Sequence, residues 1–367
     1  MNPSPSILRW LSRAAVGLAA ILVTVSTPAG PPEAALDTVH GKVKSVMGVQ
    51  HKVTHGLMGV EGILGTAVGV DDAGEPVLVV YVDQQGKKAG DLVRDLPARM
   101  LGVATRTELT EKFRAFKGRP GGGGVSHTAK QTTPIQLGTS GGWRNDLANG
   151  YCCGGTLGAL VRINSELHIL SNYHVFESDI VTGGNGLVAQ TGDNVIQPAL
   201  IDVNCSAAGA QNVATLVKKS ALPNNNVDCS IAKVIAGMVN TNGAILEIGT
   251  LSSQTVAAAI NQAVKKSGRT TGLTRSKISG LNATISVTYE NECAGGIAFT
   301  KTFTGQIVIA NGSSSFLKGG DSGSLMVEDV TTKPRAVGLL YAGSSTTAIA
   351  NPINEVLAFL GATMVGN

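Results

Sequence analysis

Apolar and polar positions follow two rhythms along this chain, one on either side of a break near residue 120. From residue 37 to 60, Val39, Val43, Val46, Met47, Val53 and Leu57 recur at roughly helical spacing, which predicts an amphipathic helix. The stretch GTAVGVDDAGEPVLVVYVD (65–83) holds two apolar runs around the turn residues DDAGEP, so two strands are expected. AGDLVRDLPARML (89–101) reads as a helix as far as Pro97, where the ring removes an amide donor, and VATRTELTEKFRAF (103–116) as one further strand. Residues 36–116 therefore form a small α+β unit. KGRPGGGGVSHTAKQTTP (117–134) has no period and is rich in Gly and Pro, the composition of a linker. From 135 to 367 short apolar runs alternate with turn residues at close intervals, the pattern of a sandwich or barrel. Only INEVLAFLGATM (353–364) breaks that pattern, with the spacing of a helix.

Composition narrows the class. Apolar residues make up 43 % and charged residues 15 %, with Gly at 47 of 367, which is ample for a sizeable core. A formal charge of +4 spread over the chain leaves no basic cluster with interleaved aromatics, so no nucleic-acid partner is expected. Arg9 and Arg13 precede AAVGLAAILVTVS, and small residues follow at Thr27 and Ala29. That is the layout of a signal peptide over 1–29 with export after cleavage. The apolar run falls short of the ~20 residues a spanning helix needs, so no stable membrane anchor is expected. Five cysteines (Cys152, Cys153, Cys205, Cys229, Cys293) suit an exported chain with up to two disulfides, and the adjacent pair is not expected to bond to itself. Their spacing lacks CxxC and they have no neighbouring His cluster, so neither a metal nor another cofactor is expected.

One stretch carries chemistry. LKGGDSGSLMV (317–327) sets an acid beside a hydroxyl between glycines, ahead of an apolar run. A serine attacks poorly unless a base takes its proton, and His does this at neutral pH. Of the six histidines, His40, His51 and His55 lie in the N-terminal unit, His127 in the linker, and His168 in ELHILS on what reads as a solvated strand face. In LHILSNYHVF an apolar strand ends in Ser and Asn just before His174, and a strand end can project a side chain into a cleft. A carboxylate must then hold the imidazole in the right tautomer. Asp179, Asp193, Asp202 and Asp228 lie between His174 and Ser322. Asp228 is the first choice, since it follows the turn LPNNN and opens the strand VDCSIAKVI; Asp202 is the second. Asp321 cannot reach the far side of His174 from its place next to Ser322.

The order His, Asp, Ser resembles that of chymotrypsin-like proteases, and so do the motifs. CGGTLGALV with LSNYHV is similar to the segment entering their catalytic histidine, VDCSIAKV to the stretch around their aspartate, and GGDSGS to their nucleophile loop. VKKSGRTTGLTRSKISGLNATISVTY resembles the hairpin of the alpha-lytic and streptogrisin branch, and AVGLLYAGSSTTAIANPI the wall of the specificity pocket. With the upstream unit, the chain most resembles bacterial relatives of the plant narrow-leaf protein, which are trypsin-like peptidases. The resemblance implies a mainly β double barrel with a small N-terminal α+β domain. It implies an exported serine endopeptidase acting on polypeptides through His174, Asp228 and Ser322, with the amides of Gly320 and Ser322 as oxyanion donors and Asp321 bracing the turn.

There are departures from the family pattern. No I-V-G-G start near residue 135 could supply the freed N-terminus that pancreatic enzymes pair with the aspartate of this loop. Val175 follows His174 where a cysteine is usual, and Lys265 and Arg275 stand where the alpha-lytic branch has cysteines. Phe316 replaces the acid of a trypsin pocket, so a pocket of Phe316, Tyr341, Ala342 and Gly343 implies apolar or small side chains. Two other functions stay open: a silent binding scaffold, with Tyr173 or Tyr341 blocking the cleft, and an esterase using the same triad. The N-terminal unit is either a removable pro-region or a retained accessory domain.

Overall fold

The computed structural model describes residues 35–115, 125–148, 151–177, 187–289, 299–312 and 315–367. The expected signal segment lies outside these residues. Helix α1 (Gly41–Met58) buries Val43, Val46 and Val49 on one face. That face meets Val68 of strand β1 (Ile63–Val70) and Leu78 and Val80 of β2 (Pro76–Asp83). The β1–β2 turn is set by Asp71, whose Oδ1 accepts the amides of Ala73 and Glu75 at 3.0 and 2.9 Å. A second helix runs Ala89–Asp95, and β3 (Val103–Thr110) then pairs with β2 in parallel. The single strand expected over 103–116 is two: β4 (Phe113–Ala115) leaves β3 and finds partners elsewhere in the sheet.

Two rings of strands follow. The first contains β5 (Thr139–Trp143), β6 (Gly155–Leu157), β7 (Ala159–Ile163), β8 (Glu166–Ser171), β9 (Asn194–Gln197), β10 (Gln211–Val217) and β11 (Ser230–Val234). Its neighbours run β6–β5–β9–β10–β11–β8–β7. Since β6 and β7 are successive stretches of one strand, the sheet closes on itself, which removes its free edges. The second contains β12 (Ala263–Gly268), β13 (Gly272–Tyr289), β14 (Phe299–Ala310), β15 (Leu325–Glu328), β16 (Ala336–Gly343) and β17 (Thr347–Pro352). It runs β12–β15–β16–β17–β14–β13 and returns to β12. The fold is thus mainly β, a chymotrypsin-like double barrel.

β13 outruns the second ring. Its first half pairs with β12, and its Leu281–Ile285 stretch takes β1 antiparallel, so the α+β unit continues the sheet of the second barrel. Gln50 of α1 fixes the junction: its amide donates to the Asn282 carbonyl at 2.8 Å and accepts from Asn282 Nδ2 at 2.9 Å. The described part of the expected linker, from 125 onward, is tied down. His127 is buried, with ring nitrogens 2.8 Å from Gly138 O and 2.7 Å from Glu247 Oε2, and Gln131 Nε2 donates to Gln136 O and Thr139 Oγ1. Composition signals a missing period; it does not register such individual polar contacts. The C-terminal helix spans Ile353–Leu360, as its spacing predicts, and buries Ile353, Val356 and Leu360. Cys152 is bonded to Cys205, and Cys229 is a buried free thiol.

Candidate active site

Strand pairing brings the first two site residues together. β8 and β11 are antiparallel with Ser171 opposite Ser230, so the end of β8 lies beside the start of β11. His174 follows β8 by three residues, in the one-turn helix Tyr173–Phe176, and Asp228 precedes β11 by two. His174 Nδ1 is 2.7 Å from Asp228 Oδ2. The carboxylate is fully buried and well supplied: Oδ1 accepts the amides of Tyr173 (2.8 Å) and His174 (3.4 Å), and Oδ2 accepts the Tyr289 hydroxyl (2.9 Å). Its backbone is pinned as well, with its amide donating to Asn351 Oδ1 and its carbonyl accepting Asn172 Nδ2. Such bonds offset the cost of taking a carboxylate out of water.

Ser322 comes from the second barrel. Gly320 and Gly323 take φ of +93° and +91°, a region that a side chain rarely permits, and so bend the loop around Ser322. Thr156 of β6 ties this loop to the first barrel: its amide donates to Ser322 O and its hydroxyl to Gly320 O, both at 2.9 Å. The contact is close enough that a Cβ on Gly158 would sit 2.1 Å from Gly323 O. The amides of Asp321 and Gly323 donate to Lys318 O and Leu340 O. Those of Gly320 and Ser322 donate to no described residue. The Ser322 hydroxyl donates to Tyr341 O at a long 3.4 Å. His174 Nε2 is buried with no hydrogen-bond partner among the described residues. Ser322 and His174 are therefore not directly bonded in this conformation.

Asp321 braces the turn. Its Oδ1 accepts the amides of Thr270 and Thr271, and its Oδ2 accepts Thr271 Oγ1 and the Lys318 amide. Oδ2 also lies 3.3 Å from Lys266 Nζ, with both side chains fully buried. An internal ammonium thus stands beside the Asp321 carboxylate. Desolvation pulls the Lys266 ammonium below its ordinary range, and the Asp321 charge opposes that pull. Neither Lys266 nor Tyr289 is marked by a motif in the sequence. The available signal was alternation: Lys266 shares a strand face with Val264 and Gly268, an inward register for a lysine. Lys265 and Arg275, where cysteines were expected from the alpha-lytic pattern, stand opposite one another across the hairpin. They reach to Val330 O and Asp329 respectively.

Other expectations need correction. Asp202 does not approach His174; it takes two bonds from Arg269, at 2.7 and 2.6 Å, and one from Ser140. Asp193 accepts the Trp143 indole, and Asp179 lies outside the described residues. His168 is buried, not on a solvated face, with Val161 and Lys233 directly opposite it on the two flanking strands. Phe316 and Tyr341 fall in separate apolar clusters. Both are fully buried, but Phe316 packs with Met326, Leu340 and Ala348 in one apolar cluster and Tyr341 with Phe303 in another. Ala342 and Gly343 are buried on β16.

Among the described residues no group of three or more His, Cys, Asp or Glu is placed to hold a metal ion, and no helix is long and apolar enough to cross a membrane. No curated protein matches the chain. Solved structures similar to it include Thermobifida fusca protease A (20 % identity, 64 % of this chain and 99 % of that one, TM-score 0.41). Cellulomonas bogoriensis chymotrypsin is comparable (21 %, 64 % and 99 %, 0.39), as is Nocardiopsis protease (17 %, 61 % and 97 %, 0.38). Residues 208–351, which hold Asp228, the Arg269 hairpin and Ser322, match the family model of the Nal1 C-terminal domain.

Proposed function

We infer that the protein is a serine endopeptidase that hydrolyses peptide bonds through an acyl-enzyme on Ser322. The observation that carries this is the orphaned Nε2 of His174. A buried ring nitrogen without a partner calls for an explanation. Here the other nitrogen is fixed on a fully buried carboxylate and a serine loop with two unspent amides sits across the barrel interface. Turning Ser322 Oγ off Tyr341 O toward Nε2 would hand its proton to the imidazole as the hydroxyl attacks a carbonyl carbon. Asp228 stabilises the resulting imidazolium. The amides of Gly320 and Ser322 hold the oxyanion, where each donor is worth about 3–4 kcal/mol in measured systems. The imidazolium then protonates the leaving amine, and water repeats the cycle to release the acyl group. No cofactor enters this scheme. The Cys152–Cys205 bond supports the exported location that the N-terminal sequence indicates, because disulfides persist in oxidising compartments.

The test is labelling by a small fluorophosphonate together with hydrolysis of a short acyl-amino-acid anilide. Both are expected in the full chain, with the label mapped to Ser322 and lost in Ser322→Ala. An unlabelled wild type, or a label elsewhere in both proteins, would remove Ser322 from the chemistry.

A further inference from the structure

The second barrel has a strand edge beside Ser322, and that edge is occupied. One side of β16 is paired with β17 from Gly338 to Gly343. The other side carries β15 as far as Leu339, and Gly323 and Ser324 take the carbonyl and amide of Leu340. Just past that point comes the Tyr341 carbonyl on which the Ser322 hydroxyl rests. An extended peptide presenting a carbonyl to Ser322 would add to this vacated edge as one more strand, since an open edge offers a row of unpaired amides and carbonyls.

β4 is already there. Arg114 pairs antiparallel with Gly343, and Gly343 is held on its opposite side by Ala348. β4 must therefore lie on the edge that β15 leaves. Its own far side is closed, because Phe113–Ala115 run parallel to Val287–Tyr289 of β13. The segment is anchored: Phe113 is fully buried with its ring 5.6 Å from that of Tyr81, and Ala115 is buried as well. Ser322 and His174 are each left only 4 % exposed.

We propose that Phe113–Ala115 stands in the place of a substrate's own backbone on the edge of β16 and so sets what the site accepts. While β4 is seated, the edge has no free amides or carbonyls at Gly343 for residues N-terminal to the scissile bond. A longer chain then gains no backbone bonds on that side, and a small electrophile needs only Ser322 and the oxyanion donors. This rests on Ser322 being the nucleophile.

Peptide boronic acids separate the two requirements, since boron engages the serine and the peptide tail engages the edge. In the wild-type full chain, an acetylated single-residue boronate and a tetrapeptide boronate with the same terminal residue are expected to bind equally, within about twofold. In Arg114→Pro, which removes an amide from β4, the longer compound is expected to gain about tenfold over the shorter from the backbone bonds it can now form. Phe113→Ala, which loosens β4 and keeps its amides, is expected to shift the same way by less. A tenfold advantage for the longer compound in the wild type would overturn the inference and leave the Ser322 reading intact, as would no gain in both variants. If neither boronate binds and the fluorophosphonate leaves Ser322 unlabelled, both readings fall.

Discussion

Asp228 and Asp321 are both fully buried carboxylates, each paired with a cation-forming side chain, yet their surroundings do opposite things. Asp321 is sealed. Lys266 spends its donors on Asp321, Thr271 Oγ1 and Gly272 O, and the aspartate spends its lone pairs on the hairpin and its own turn. Asp228 is as well supplied, but its partner is a ring with a second nitrogen, and that nitrogen has no partner among the described residues. Leaving either charge unpaired would cost several kcal/mol, so both pairs have a reason to exist in the fold. A buried pair becomes a candidate for chemistry where one member keeps an unspent group; where all are spent, it holds shape.

The largest expected effect breaks the open pair. Asp228→Asn keeps the side-chain size but puts an amide against Nδ1, which favours the wrong tautomer of His174. Anilide turnover is expected to fall by about 10³- to 10⁴-fold, as such a change does in the serine-protease template. A loss of less than about tenfold would mean that the carboxylate does not steer the base.

Lys266→Met breaks the sealed pair. It leaves Asp321 buried with its amide donors but without a countercharge, and a loss of about 3 kcal/mol is expected, the lower end for a severed buried pair. The denaturant midpoint reads this. Adding Asp321→Asn should restore part of the loss, because the uncompensated charge goes with it. Equal stability of wild type and Lys266→Met would show that the ammonium is not what offsets Asp321.

The two pairs were also unequally legible. His174 and Ser322 stood out because their surroundings are local: a strand ending in Ser and Asn, and a turn whose glycines need positive φ. Asp228 and Asp202 could be ranked from sequence but not separated, since the deciding partner is Arg269, which lies well downstream of both. No local motif in the chain distinguishes Lys266, and only closure of the barrel turns it inward. β4 was merged with β3 for a related reason. Its few residues carry no period, and its partners in β13 and β16 are remote in sequence. Patterns of two to four residues are written in the chain, whereas contacts made by closing a sheet are not.

The smallest effect sharpens the comparison at Tyr289, which donates to Asp228 Oδ2 from the end of β13. Burial, reinforced by the Asp228 charge, holds this phenol well above its ordinary range. A raised phenol stays protonated through neutral pH and so remains a donor, and its contribution should not vary across that interval. Tyr289→Phe removes one of the carboxylate's supports and keeps the ring that stacks on Phe299 at 5.0 Å. Since the amides of Tyr173 and His174 remain, a fall in kcat of about tenfold is expected, near the low end for a bond to a charged group. KM should hold, because Tyr289 is a positioning residue acting through Asp228 and His174. A loss confined to KM, or a lower melting temperature with kcat unchanged, would assign Tyr289 to the core and leave Asp228 held by backbone amides alone.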